Sequence, residues 1–238
     1  MSALRIEPTA KWIRGRIGDR LVVDTKAAQL VWEHEYYPYW YIPVADVLDD
    51  SIPTVALDEL PDHVKIDFAD VDRWFEEDEE VFVHPRDPYR RVDAQPSSRH
   101  VVVEVGGTVV ADSHHPTILY ETGLPPRYYL PAEDVRLGYL TPSDTSTGCP
   151  YKGFARYWTV TIDGEEHADV AWGYDDPLPE SALIAGLICF LQRAGQPDDR
   201  WRPSRGPGVS PVRRRSRSPL SCERRESCVG RFRDRRGW

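Results

Sequence analysis

The chain has 238 residues, 40% of them hydrophobic, with 8 Trp and 12 Tyr, which suits one large domain or two small ones. No run of about 18 apolar residues occurs, and the opening stretch MSALRIEPTAKW lacks an apolar h-region, so neither a membrane span nor a secretory leader is expected. The net charge of -9 is uneven: from Arg193 onward stand 14 Arg against 5 acidic residues, which leaves an acidic body and argues against nucleic acid as its partner.

In chain order, Trp12–Ile17 and Arg20–Asp24 flank Gly18-Asp19 as a hairpin, and Gln29–Glu33 reads as a third strand. A Pro-containing corner leads to a fourth strand, Tyr39–Ile42. Phe68–Glu80 is acidic and reads as a short helix or an exposed loop. His100–Gly106 and Thr108–Ser113 then flank Gly106-Gly107, a second hairpin. Thr117–Glu121 and Arg127–Leu130 follow as strands. Phe154–Ile162 is a long strand entering the turn Asp163-Gly164, and Ala171–Tyr174 is a short one. Only Pro179–Leu191 reads as helix, with Pro179 and Glu180 in its first turn and an Ala/Leu/Ile interior.

An ungapped repeat at an offset of 88 organises these elements. Ile17–Val47 lies over Val105–Val135, and nine of the 31 positions are identical: Gly18/Gly106, Val22/Val110, Asp24/Asp112, Glu33/Glu121, Pro38/Pro126, Tyr41/Tyr129, Pro43/Pro131, Asp46/Asp134 and Val47/Val135. Ordinary residue usage gives about two by chance. Three segments follow: 1–92, 93–192, and a basic tail at 193–238 rich in Arg, Pro and Ser. The tail admits three readings: a binding segment, inert disorder, or a frameshift in a GC-rich gene.

The repeat also permits subtraction. Pro142–Gly153 (PSDTSTGCPYKG), read as a loop between strands, has no counterpart in the first copy. Its hydroxyls, backbone N–H groups and Lys152 suit an anion cradle, and Cys149 lies three residues from that Lys. The same residues also suit a plain structural role: Asx- and ST-turns at Ser143–Thr145, a buried Cys149, and Lys152 as a solvated strand-edge charge. Glu121 and Glu33 recur at a strand end, where a carboxylate more often satisfies an Arg or a backbone N–H within the fold than a ligand. Arg127, Tyr128 and Tyr129 could stack on and pair with an anionic ligand, while the recurrence of Tyr129 as Tyr41 suits the core. His114-His115 resembles a metal pair, but adjacent side chains diverge and a solvated turn is the plainer reading. No zinc spacing, nucleophile elbow or phosphate-binding Gly-rich loop is present, and no metal or cofactor is expected. Four Cys are too few for a disulfide scaffold, and a reducing cytoplasm is the expected compartment.

The motifs GGTVVAD (106–112), ETGLPPRYY (121–129), PAEDV (131–135), PSDTSTGCPYKG (142–153) and AWGYDDP (171–177) resemble domain of unknown function family 427. The first copy and HPRDPYRRVD (84–93) resemble its tandem bacterial members. The resemblance covers roughly residues 10–192. It implies a mainly β fold: two antiparallel-sheet domains of the Mss4-like or β-tent type, each with little helix; composition, not the resemblance, marks the C-terminal tail as disordered or frameshifted. Zinc-binding Cys pairs found in relatives of that fold are missing here. The family has also been labelled nucleotidyltransferase-like, although the paired carboxylates and Gly-Ser motif of such a site are not found. The resemblance raises Asp144, Thr145, Cys149, Tyr151, Lys152 and Gly153 as a unit. The expected function is binding of a small anionic metabolite beside residues 142–153. Lys152, Tyr151, Thr145, Arg127, Tyr129 and Glu121 would form the site, and Cys149 and Asp144 would carry any chemistry. A non-catalytic ligand-binding or protein-interaction module is the alternative.

Overall fold

The computed structural model describes residues 4–191 and the backbone of two short strands at 201–203 and 230–231. The chain divides into two compact units, Met1–Arg90 and Arg91–Trp238. Both are mainly antiparallel β, as the sequence predicts. Among the described residues no helix is long and apolar enough to cross a membrane.

In the first unit the strands are β1 (Arg5–Pro8), β2 (Ile13–Ile17), β3 (Arg20–Thr25), β4 (Gln29–Trp32), β5 (Tyr39–Pro43), β6 (Thr54–Ala56), β7 (His63–Ile66), β8 (Arg73–Glu76) and β9 (Glu79–Val81). They form a five-stranded sheet, β1-β4-β5-β7-β6, and a four-stranded sheet, β3-β2-β8-β9. Ile13, Val22, Val23, Leu30, Trp40, Ile42 and Trp74 fill its core. Full burial of each such aliphatic side chain contributes roughly 1.5–3 kcal/mol.

The second unit repeats this plan and enlarges it. Its strands are β10 (Val92–Pro96), β11 (Val101–Val105), β12 (Thr108–Ser113), β13 (Thr117–Glu121), β14 (Arg127–Leu130), β15 (Leu140–Cys149), β16 (Gly153–Ile162), β17 (Glu165–Gly173), β18 (Ile188–Phe190), β19 (Trp201–Pro203) and β20 (Gly230–Arg231). The large sheet runs β10-β13-β14-β18-β17-β16-β15-β20, and the small one β12-β11-β19. The offset of 88 holds in the fine register. Both hairpins carry a bulge at the same step, Gly15/Arg16 and Val103/Glu104. Isolated bridges Val23–Val47 and Ala111–Val135 correspond as well. Gly18 and Gly106 both take a positive φ, +55° and +59°, in the tight turns. β19 pairs with β11 as β8 pairs with β2. The tail expected from residue 193 lies outside the described residues apart from β19 and β20.

Four local expectations are corrected. Pro179–Leu191 is not a helix. A short 3-10 segment, Pro179–Ile184, gives way at Gly186 (φ +70°) to strand β18, all three of whose residues are buried. A strand covered on both faces reads as a continuous apolar run, which periodicity alone does not separate from helix. Phe68–Glu80 is neither helix nor loop but a 3-10 turn followed by the β8–β9 hairpin, anchored by the buried Trp74. Residues 142–149 belong to a ten-residue strand rather than a loop. Ala171–Gly173 is the end of a nine-residue strand.

The large sheet is buried on both faces. Val160, Ile162, Trp158, Ala171, Ile188, Tyr128 and Leu130 point toward the small sheet. The alternate residues, Leu119, Tyr129, Ala155, Tyr174 and Cys189, form a second cluster on the other face, with Tyr157 and Trp172 packed against it.

Candidate functional site

That second face carries most of the polar side chains the sequence singles out. Cross-strand register places Tyr129 opposite Cys189, Cys189 opposite Trp172, and Trp172 opposite Tyr157. The Trp172 indole N–H donates to the Tyr129 hydroxyl at 3.3 Å, and the Tyr157 hydroxyl lies 2.9 Å from Thr147 Oγ1. Burial pushes the phenols of Tyr129 and Tyr174 well above their ordinary pKa, so both remain neutral.

The turn joining β15 to β16 delivers the charged centre. Cys149 pairs with Gly153 across the hairpin end, and the Lys152 amide donates to the Cys149 carbonyl at 3.3 Å. Gly153 has φ +89°, and a Cβ there would meet the Asp176 carbonyl at 3.4 Å, so the turn needs glycine. Ser181 Oγ donates to the Tyr151 carbonyl and the Leu178 amide to the Lys152 carbonyl, which ties the turn to the segment before β18. Lys152 Nζ then reaches Glu121 Oε2 at 2.5 Å, with the two side chains 11% and 5% exposed. Burial lowers the Lys152 pKa, but attraction to Cys149 and Glu121 outweighs it, and the net shift is upward. Lys152 is therefore a buried ammonium between a thiol and a carboxylate, not a solvated edge charge. Cys189, deeper on the same face, is pushed up to about 12 by burial.

Arg127 lies at the half-buried rim of this face, its guanidinium 5.6 Å from the Trp172 ring centroid. The guanidinium has no hydrogen-bond or carboxylate partner among the described residues.

The structure thus brings Glu121, Tyr129, Cys149 and Lys152 together, with Arg127 beside Trp172 on the same face. Tyr151 is buried in the connecting turn. Asp144 and Thr145 are not part of this group. Asp144 lies five residues before Cys149 on β15, within the pairing irregularity between Pro142 and Ser146. Asp144 is exposed and has no partner among the described residues. Thr145 and Ser143 instead donate to Asp169 at 2.7 and 2.6 Å. Asp169 sits at φ +54°, where the β16–β17 pairing shifts register, so these hydroxyls hold a bulge. Sequence reasoning missed Asp169 and did not place Trp172 at the site. The Trp and Tyr of AWGYDDP, two residues apart on one strand face, were the available signal.

The first unit contains an equivalent of the central pair. Glu33 accepts from Lys65 at 2.7 Å and from the Tyr41 hydroxyl at 2.7 Å. Lys65 lies on β7 opposite Tyr41, the register position held by Cys189 in the second unit. The Lys–Glu pair is therefore common to both copies, whereas the thiols and the β15–β17 strands belong to one. Nearby, Tyr37 stacks on His84 at 3.8 Å, and burial lowers the His84 pKa to about 4.

The family model described as "Domain of unknown function (DUF427)" matches residues 5–76 and 93–200. The chain belongs to the DUF427 family. The two matched segments agree with a tandem arrangement, each covering one antiparallel unit. No curated protein matches the chain. The second DUF427 segment contains every residue of the Glu121–Tyr129–Cys149–Lys152 group, and the first contains Glu33, Tyr41 and Lys65.

Proposed function

We propose that the second unit binds a small anionic molecule on the Arg127–Trp172 face, with Cys149 as the reactive group at its deep end. One observation carries this reading: Arg127 is an uncompensated cation beside an aromatic ring, on the face that holds the buried Cys149–Lys152–Glu121 chain. Guanidinium forks are suited to carboxylate and phosphate groups. Lys152, already neutralised by Glu121, acts on the thiol more than on the ligand. The Lys152 ammonium lies beside the Cys149 sulfur, the nucleophilic atom this face offers to a bound ligand. Free Cys149 and Cys189 favour a reducing, cytoplasmic setting. Two antiparallel sheets over one core in each unit support the tent-type arrangement.

A thermal-shift screen of anionic metabolites against the full chain and Arg127→Gln tests the binding. A ligand at about 100 times its dissociation constant stabilises by roughly 2.7 kcal/mol. The expected result is a compound that raises the melting temperature of the wild type and not of Arg127→Gln. Equal shifts in both proteins, or no anionic compound that stabilises the wild type, overturn it.

The recurrence of the pair as Glu33–Lys65 favours a second reading. In it the Lys–Glu pair braces the sheet, and the unit recognises its ligand without reacting. Binding lost in Arg127→Gln but kept in Cys149→Ser, with the ligand unchanged after incubation, is the outcome for that reading.

A further inference from the structure

The β11–β12 hairpin holds a second cluster of chemistry-bearing side chains. Val101 pairs with Ser113 and Val102 with Asp112, a register that continues to set His100 opposite His114. Asp112, two residues before His114, shares its face. His100 Nε2 lies 2.6 Å from Asp112 Oδ1, and the His100 and His114 rings stack at 4.1 Å and 11°. One ligand atom from each of the three residues lies within 4.8 Å of the other two.

The first copy supplies an internal control. At the same offset it has Trp12, Asp24 and Lys26. Trp12 Nε1 donates to Asp24 Oδ1 at 2.6 Å, and Lys26 Nζ lies 5.0 Å from the Trp12 ring centroid. An indole N–H satisfies the carboxylate there, and neither the indole nor the ammonium has a lone pair for a cation. The second copy keeps the Asp and replaces both neighbours with imidazoles, groups that donate equally well and also ligate metals.

We propose that His100, Asp112 and His114 bind a zinc-class divalent cation. Two imidazoles and a carboxylate are borderline ligands, suited to Zn²⁺, Co²⁺, Ni²⁺ or Cu²⁺ rather than to Mg²⁺ or Ca²⁺. With Zn–N distances of about 2.0–2.1 Å, tetrahedral ligand atoms stand roughly 3.4 Å apart. Asp112 and His114 are exposed and His100 is half-buried, so side-chain rotation alone closes the set. Three protein ligands leave one position for water or an external ligand.

The test is calorimetric titration of Zn²⁺ into the full chain carrying Cys222→Ser and Cys228→Ser, which removes the thiols of the C-terminal segment. Absorption spectra of the Co²⁺ form are recorded in parallel. The expected result is one equivalent bound, with no thiolate-to-metal charge-transfer band. Removing a group that only hydrogen-bonds to a metal ligand typically costs about 10–100-fold in affinity, and His100→Gln or His114→Gln, each removing a direct ligand, costs no less than about tenfold. Asp24→Asn in the first copy leaves the affinity unchanged. Unchanged melting curves verify that the variants fold. Imidazole NMR signals of His100 and His114 shift on Zn²⁺ addition in the wild type. No binding at millimolar metal, an affinity unaltered in both His variants, or shifts confined to other histidines overturns the proposal.

Discussion

Lys152 and Glu121 stand 31 residues apart in sequence and meet at 2.5 Å inside the second unit, and the same ammonium interacts with Cys149. A buried ion pair is weak evidence for stability, because desolvation offsets most of its attraction. Its consequence is local: the face keeps one ammonium charged where it meets a thiol.

Removing one partner should therefore cost far more than removing both. Lys152→Met leaves a buried carboxylate unpaired and is expected to destabilise the second unit by roughly 3–5 kcal/mol. Lys152→Met combined with Glu121→Gln recovers most of that loss. In the first unit Lys65 and Glu33 are 19% and 30% exposed, and Lys65→Met is expected to cost only about 1 kcal/mol. Urea unfolding of the four proteins checks both the order and the recovery.

His84 makes the first unit sensitive to acid. Its folded pKa is about 4, pushed down by burial, against an ordinary value of 6.5. The unfolded chain therefore binds the proton first. Stability from the neutral ring is fully present above pH 6.5 and is lost as pH falls toward 4, by about 3 kcal/mol. Arg90 and His34 add to the lowering, while the Pro85 carbonyl and Asp87 oppose it. Melting curves of wild type and His84→Gln between pH 7 and 4 should converge as pH falls. A constant difference across that range contradicts the assignment.

Gly173 sits where β17 passes close to the backbone before β18. A Cβ at that position would lie 2.5 Å from the Leu187 carbonyl oxygen. Gly173→Ala must push the two segments apart, at a cost of roughly 1–3 kcal/mol. The same substitution at Gly107, in open space but at φ +83°, costs only backbone strain, about 1 kcal/mol. Thermal unfolding separates the two.

The hairpins were legible because Gly18-Asp19 and Gly106-Gly107 are strong turn signals and the repeat read one pair against the other. The third and fourth strands of each copy were legible for the same reason. β18 was not, since a three-residue strand buried on both sides has no alternation to show. Residues 142–149 read as a loop because Ser, Thr and Gly are turn formers; in the structure their hydroxyls clamp Asp169 or line the sheet face. Cys149 and Lys152 could be named from the motif, but Glu121 as the partner of Lys152 could not, since the contact depends on strand order. Lys65 was hidden for a related reason. It takes the register place of Cys189, far from its position under a fixed offset of 88, because the second unit inserts three long strands before reaching that place.

The most direct measurement is the rate at which iodoacetamide labels each cysteine at pH 7, resolved by mass spectrometry, in wild type and Lys152→Met. Cys189, with its thiol pushed up to about 12, should remain unlabelled and so report any unfolding. Cys149 is expected to react faster than free cysteine in the wild type and to slow at least about tenfold in Lys152→Met, on loss of the neighbouring cation. A Cys149 that reacts no faster than free cysteine in the folded wild type contradicts that expectation.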